Sequence, residues 1–351
     1  MLCKIPREKL EHFINWLEDK YLPCYGLIKE GERITFGRIE NPGNLYVGGV
    51  RSLNPFFKTF LFSPREKVAA YFGEDIIDAD TVEETKKDKI IIGFKACDLK
   101  ALSVYDNVFR KTLPPDPFYV QRRKSFFIIS WDCTEVLPTC FCTFVEGSPY
   151  PQTGYDLNLT PLDDVIYMEV GSWWGEEVVK KYPTHLGQPE DDEKLKNFRE
   201  EIKRKVAEVN SGILPLDNPY TFLLRTQFDS PVWSQKAETC VACGGCTAIC
   251  PTCYCNLLYD EVEEERFERI RIWDYCQYPK FAQEAGGANP RKRLVERFRH
   301  RYAHKFDYAM VRNGMYECTG CGRCISVCPG KIDMRDTLHL LDKEKVGSEQ
   351  K

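Results

Sequence analysis

No stretch of the 351-residue chain is apolar over the roughly 18 residues needed to cross a bilayer, so a membrane-spanning helix is not expected. The N-terminus, MLCKIPREKLEHF, lacks the apolar core of a secretory signal, and the expected location is the cytoplasm. Neither charge dominates: the formal net charge of -4 removes the global signature of a nucleic-acid binder. No G-x-G-x-x-G follows a strand-like run, the pairs Gly48-Gly49, Gly244-Gly245 and Gly286-Gly287 are isolated, and there is no P-loop. A dinucleotide site of that kind is therefore not expected. Histidine is scarce, with five scattered copies (His12, His185, His300, His304 and His339). His300 and His304 are four apart and read as a solvated pair on one helix face. The C-terminal region also lacks a second cysteine pair of the type that would hold nickel.

What the chain has in excess is cysteine. Of its 17 cysteines, eleven lie between Cys240 and Cys328 and four between Cys97 and Cys142, while Cys3 and Cys24 stand alone as isolated thiols. Nothing points to an extracellular protein, and in a reducing compartment clustered cysteines read as metal ligands or redox groups.

The strongest signal is Cys240-Val-Ala-Cys243-Gly-Gly-Cys246-Thr-Ala-Ile-Cys250-Pro251. It repeats as Cys318-Thr-Gly-Cys321-Gly-Arg-Cys324-Ile-Ser-Val-Cys328-Pro329. Each is the C-x2-C-x2-C-x3-C-P run of bacterial ferredoxins. A tight loop presents three thiolates to one cubane, its glycines let amides approach the inorganic sulfurs, and the fourth cysteine leads away. In two-cluster ferredoxins that fourth cysteine serves the other cluster. Applied here, Cys240, Cys243, Cys246 and Cys328 hold one [4Fe–4S] cluster, and Cys250, Cys318, Cys321 and Cys324 hold the second. A zinc ribbon needs neither the third cysteine nor the Cys-Pro step. Cys246, Cys250 and Cys253 also satisfy the C-x3-C-x2-C spacing of radical-generating clusters, but that reading leaves Cys240 and Cys243 without a role.

Cys97, Cys133, Cys140 and Cys142 form a further set of four. Cys97 follows a β-branched run at 90–94 and Cys133 follows a second at 126–131. In a parallel sheet those strand ends share an edge, where ligands bind. A third [4Fe–4S] cluster is the expectation there, with unrelated buried thiols as the alternative. Cys253, Cys255 and Cys276 cannot complete a cubane alone and read as structural, a shield for the first cluster, with part of a site completed by a ligand from elsewhere as the alternative.

The expected fold class is α+β: an N-terminal α/β domain over 1–225, then a mainly α-helical two-cluster ferredoxin-like domain over 226–345. A long insertion, 256–315, loops outside the cluster core. Leu10, Phe13, Ile14 and Leu17 have helical spacing, and Leu99, Leu102, Tyr105 and Phe109 line a helix after the strand at 90–94, giving a β–α–β pattern. Further strands are expected at Asp156–Thr160 and Asp164–Val170, with a charged, solvated helix over Glu190–Arg204. The acidic run Asp260–Glu268 and the basic helix 291–305 read as solvated surface, or more sharply as docking faces for a partner of opposite charge.

The strings FKACDLKAL, WDCTEVLPTCFC, GYDLNL, VGSWWGEEVV, CVACGGCTAICPTCYC, WDYCQY and CTGCGRCISVCPGKID resemble the β subunit of cytoplasmic sulfhydrogenases and are similar to an iron–sulfur component of anaerobic sulfite reductases. The likeness runs in order from about residue 85 to 340. It implies a non-catalytic iron–sulfur electron-transfer subunit in a hetero-oligomeric oxidoreductase complex. Such a subunit relays electrons between two partners, one a flavin-containing subunit, the other a catalytic metal subunit of hydrogenase, sulfite reductase or heterodisulfide-reductase type. The alternative is a stand-alone iron–sulfur oxidoreductase with a substrate or flavin site in its N-terminal domain.

Overall fold

The computed structural model describes residues 1–72, 75–78, 88–184, 186–187, 192–263 and 266–344. His185, Glu190, Glu264 and Glu265 lie outside the described residues. The described strands are, in chain order, β1 (Leu2–Pro6), β2 (Cys24–Glu30), β3 (Arg33–Arg38), β4 (Arg65–Phe72), β5 (Asp75–Asp78), β6 (Lys89–Phe94), β7 (Phe126–Trp131), β8 (Leu157–Leu162), β9 (Val165–Val170), β10 (Asn256–Glu263) and β11 (Arg266–Trp273). Two compact units result. The first comprises Met1–Phe56, Val82–Val209 and Thr319–Cys321; the second comprises Phe57–Thr81, Asn210–Cys318 and Gly322–Lys351. This division differs from a single linear break at 225, because the second unit also takes Phe57–Thr81.

The first unit is built on a seven-stranded sheet in the order β1-β9-β8-β7-β6-β2-β3. Its four central strands β2, β6, β7 and β8 run parallel, and antiparallel pairs close both edges. β6 and β7 are almost wholly apolar because the sheet buries both of their faces. The helix Ala96–Tyr105 connects them and buries Leu99, Leu102 and Tyr105, with Phe109 buried just beyond, as the spacing predicts. The first helix, Leu10–Lys20, buries Leu10, Phe13, Ile14 and Leu17 in one cluster with Ile90, Ile92, Phe127 and Ile129. Full burial of such side chains stabilises the fold by about 1.5–3 kcal/mol each. The strands expected near 156–160 and 164–170 are β8 and β9, joined at Asp163. The charged helix is Glu193–Glu208. It is not wholly solvated, since Leu195, Ile202 and Val206 form a buried stripe.

The second unit adds a sheet to the expected helices. It contains an antiparallel sheet in the order β10-β11-β4-β5. The acidic run is thus largely a β-hairpin, and Asp260 and Glu261 pair with Arg269 and Arg65. Glu66 and Arg271 face each other across β4 and β11 as a buried ion pair at 2.6 Å. Short helices pack around Trp233, whose ring meets Tyr302 edge-on at 5.3 Å and whose indole nitrogen donates to Gln227 O at 2.7 Å. No described helix is long and apolar enough to cross a membrane.

Candidate metal centres

Both cysteine runs bend in the same way. Ala242 (φ +52°) and Gly244 (φ +73°) flank Cys243, and Gly320 (φ +63°) and Gly322 (φ +66°) flank Cys321. Left-handed residues set among right-handed ones turn successive amides to one side and make a concavity suited to negative charge. A short helix follows in each run, Gly245–Ala248 and Arg323–Ser326, carrying the third cysteine, with the fourth just beyond it.

Two contacts cross between the runs. A Cβ on Gly330 would clash with Thr239 O, so the turn after Cys328 sits against the residue preceding Cys240. Conversely, Thr252 Oγ1 donates to Glu317 O at 2.7 Å, which holds the turn after Cys250 beside Cys318. Cys240, Cys243, Cys246 and Cys328 line one cavity of the second unit, and Cys324 and Arg301 also form part of its wall. Among the described residues, no three Cys, His, Asp or Glu side chains close in on a point that would hold a single metal ion.

The cavity's charge fits an anionic, thiolate-bound cluster. Burial pushes the Cys246 thiol up to about 12, against the pull of Arg301. Arg301 is itself buried, donates from Nη2 to Cys246 O at 3.3 Å, and leaves Nε buried without a hydrogen-bond partner. A guanidinium removed from water requires negative charge nearby, and thiolates bound to metal supply it.

A family model described as a 4Fe-4S dicluster domain matches residues 239–332. The sulfhydrogenase 2 subunit beta of Pyrococcus furiosus is 31% identical over 347 residues, covering 98% of each chain. The chain belongs to the sulfhydrogenase β-subunit family. No solved structure matches it.

In this family member the first unit gathers the other four-cysteine set. Cys97 stands in the first turn of the helix after β6, where Asp98 Oδ2 accepts from Lys95 N at 3.1 Å. Cys133 directly follows Asp132, at the corresponding end of β7. Lys95 is fully buried between them and donates from Nζ to Gly48 O at 2.8 Å, Asp132 O at 2.9 Å and Gly49 O at 3.3 Å. Its electrostatic neighbours include the sulfurs of Cys133 and Cys97. Cys140 neighbours Cys133, and Cys142 neighbours both. Burial pushes the Cys133 thiol up to about 11, opposed by Lys95. Cys3 and Cys24 instead lie in the sheet core, with their sulfurs 3.6 Å from Met168 O and 3.7 Å from Leu22 O.

Cys253, Cys255 and Cys276 are grouped around Cys250. Cys253 and Cys250 share a hydrogen bond, and Cys276 neighbours both Cys255 and Cys250. The basic segment 291–305 is the main correction here. Arg297, Arg301 and Lys305 are buried, not solvated. Arg297 Nε donates to Gln277 O at 3.0 Å, and Gln277 Nε2 donates back to Arg297 O at 3.0 Å. These cations are spaced four apart, the interval of one helix face, and that spacing was a signal available in the sequence. His300 and His304 do share a face, with rings 6.0 Å apart, but burial pushes them down to about 4 and about 3.

Proposed function

We propose that the chain is a non-catalytic iron–sulfur electron-transfer subunit of a cytoplasmic, hetero-oligomeric oxidoreductase, relaying electrons between two partners, one a flavin-containing subunit, the other a catalytic metal subunit. The observation that carries this reading is the convergence of Cys240, Cys243 and Cys246 with the distant Cys328 on one cavity. The reading assigns Cys240, Cys243, Cys246 and Cys328 to one [4Fe–4S] cluster and Cys250, Cys318, Cys321 and Cys324 to a second. Cys97, Cys133, Cys140 and Cys142 are assigned to a third. Bound clusters supply reversible one-electron storage. The chain's own residues present the thiolates, exclude water and place buried cations beside them.

A relative named as a sulfhydrogenase subunit favours a catalytic partner that handles hydrogen or sulfur. Within the first unit, Phe141 N donates to Gly320 O at 2.7 Å, so the Cys140–Cys142 loop abuts residues 319–321. The test is iron and acid-labile sulfide content of chain purified without oxygen. About twelve of each per chain supports three clusters, and about eight limits the reading to two. Zinc without labile sulfide overturns it.

A further inference from the structure

Lys58 lies in the helix Phe56–Leu61 and is 1% exposed. Its ammonium donates to Ala248 O at 3.3 Å and sits 4.1 Å from the centre of the Trp273 ring. Lys305 is 2% exposed and donates to Thr252 Oγ1 at 2.7 Å. Neither lysine forms an ion pair with a carboxylate among the described residues. Glu317, which also neighbours Lys305, is instead engaged by His304 at 3.3 Å and Arg312 at 3.4 Å.

The electrostatic neighbours of Lys58 are the sulfurs of Cys253, Cys250 and Cys255, together with Lys305. Those of Lys305 begin with Cys250 and Cys253. Two lysine side chains are therefore buried within electrostatic reach of the same thiols, Cys250 and Cys253. A buried charge without a counter-charge is costly, and two like charges add to that cost. Burial alone pushes the Lys58 ammonium toward its neutral form, and a strongly negative sulfur centre beside it would hold it charged. Cys250 is the one cysteine of this group assigned to a cluster.

The distribution is also uneven. Arg301 stands beside sulfurs of both runs, Cys246 and Cys324 as well as Cys250. Lys58 and Lys305 are additional, and they stand on the Cys250 side. We propose that Lys58 and Lys305 are fixed positive charges of the Cys250-bearing cluster that raise its reduction potential, and that Cys253, Cys255 and Cys276 enclose them away from water. This rests on the assignment of Cys250 to a cluster. A reduced cluster carries one more negative charge than an oxidised one, so a nearby fixed cation favours the reduced state and moves the potential upward. Burial beneath Trp273 limits solvent screening and strengthens the effect.

The experiment is an EPR-monitored redox titration of the full chain, purified without oxygen, as parent, Lys58→Met, Lys58→Arg and Lys305→Met. Iron and sulfide content are measured on each preparation. The midpoint that disappears in Cys250→Ala marks the Cys250-bearing cluster. The expected result is a downward shift of that midpoint in both methionine variants, a smaller shift of the other midpoint, and recovery toward the parent value in Lys58→Arg. Loss of iron in Lys58→Met with retention in Lys58→Arg also supports a requirement for charge. Fully loaded methionine variants with unmoved midpoints overturn the proposal, as does equal loss of iron from Lys58→Met and Lys58→Arg, which assigns Lys58 to packing. A parent chain without labile sulfide defeats the cluster assignment itself and is recognised before any variant is compared.

Discussion

Gly320 lies directly against the backbone of Cys142: a Cβ at position 320 would fall 2.5 Å from both the Cα and the N of Cys142. The two loops that carry these residues can touch only because position 320 has no side chain. Its φ of +63° adds a second reason for glycine. Gly320→Ala is expected to lower the thermal midpoint and the iron content together. Gly212→Ala is the control, because Gly212 has φ +82° with nothing within 4 Å of its Cβ position. That variant pays only the left-handed conformational cost, about 1–2 kcal/mol. Equal effects at the two positions would remove the close contact as an explanation.

The set in the first unit is separable from the ferredoxin-type runs. Cys133→Ala and Cys140→Ala are each expected to lower iron by about four per chain and leave the other clusters loaded. Unchanged iron in both would make these thiols structural. Lys95→Met probes the same place from the side of charge, since its ammonium is held by three carbonyls and faces Cys133 and Cys97.

The sequence was legible where one local rule dominated. β6 and β7 could be read because a strand covered on both faces must be apolar throughout, and the cysteine runs because cluster ligation fixes their spacing. The four-stranded sheet could not be read. β4 pairs with β11 across some 200 residues, and nothing in Arg65–Phe72 alone names that partner. The buried cations were missed for a different reason. Lysine and arginine are normally solvated, and Arg301 and Lys305 become interpretable only once the thiols beside them are located. Their four-residue interval was visible, but the face it marks was assigned to water.

Removing the Glu66 carboxylate leaves the Arg271 guanidinium buried beside Phe62, whose ring centre is 5.4 Å away. Breaking a buried pair by deleting one partner costs about 3–5 kcal/mol. Glu66→Ala is therefore expected to destabilise strongly in chemical denaturation. Replacing both residues by apolar ones of similar volume should recover much of the loss. A double variant as unstable as Glu66→Ala would show that Arg271 acts through other contacts.

Acid should weaken the helix that carries His300. Burial, with Arg291 nearby, holds its imidazole down at about 4 instead of 6.5. The unfolded chain binds a proton at this position below pH 6.5, whereas the folded chain resists it. Stability therefore rises with pH through this window and is lost as pH falls from 6.5 toward about 4. His300→Gln is expected to flatten that limb. Thermal midpoints of parent and variant at about pH 7.5 and about pH 5 would show it, and an equal acid loss in both would place the sensitivity elsewhere.

The crossed assignment of the fourth cysteines is tested by counting iron in double variants. If Cys328 serves the same cluster as Cys240, the variant lacking both has lost one cluster, and its iron falls by about four. If each run held its own cluster, Cys240 and Cys328 would belong to different clusters and the same variant would lose about eight. Pairing Cys250→Ala with Cys318→Ala asks the same question of the second cluster. The Gly330–Thr239 contact and the Thr252–Glu317 hydrogen bond both predict the smaller loss, because they bring each fourth cysteine to the start of the other run. A loss of about eight in both double variants would mean that these contacts fasten the two runs together without exchanging their ligands.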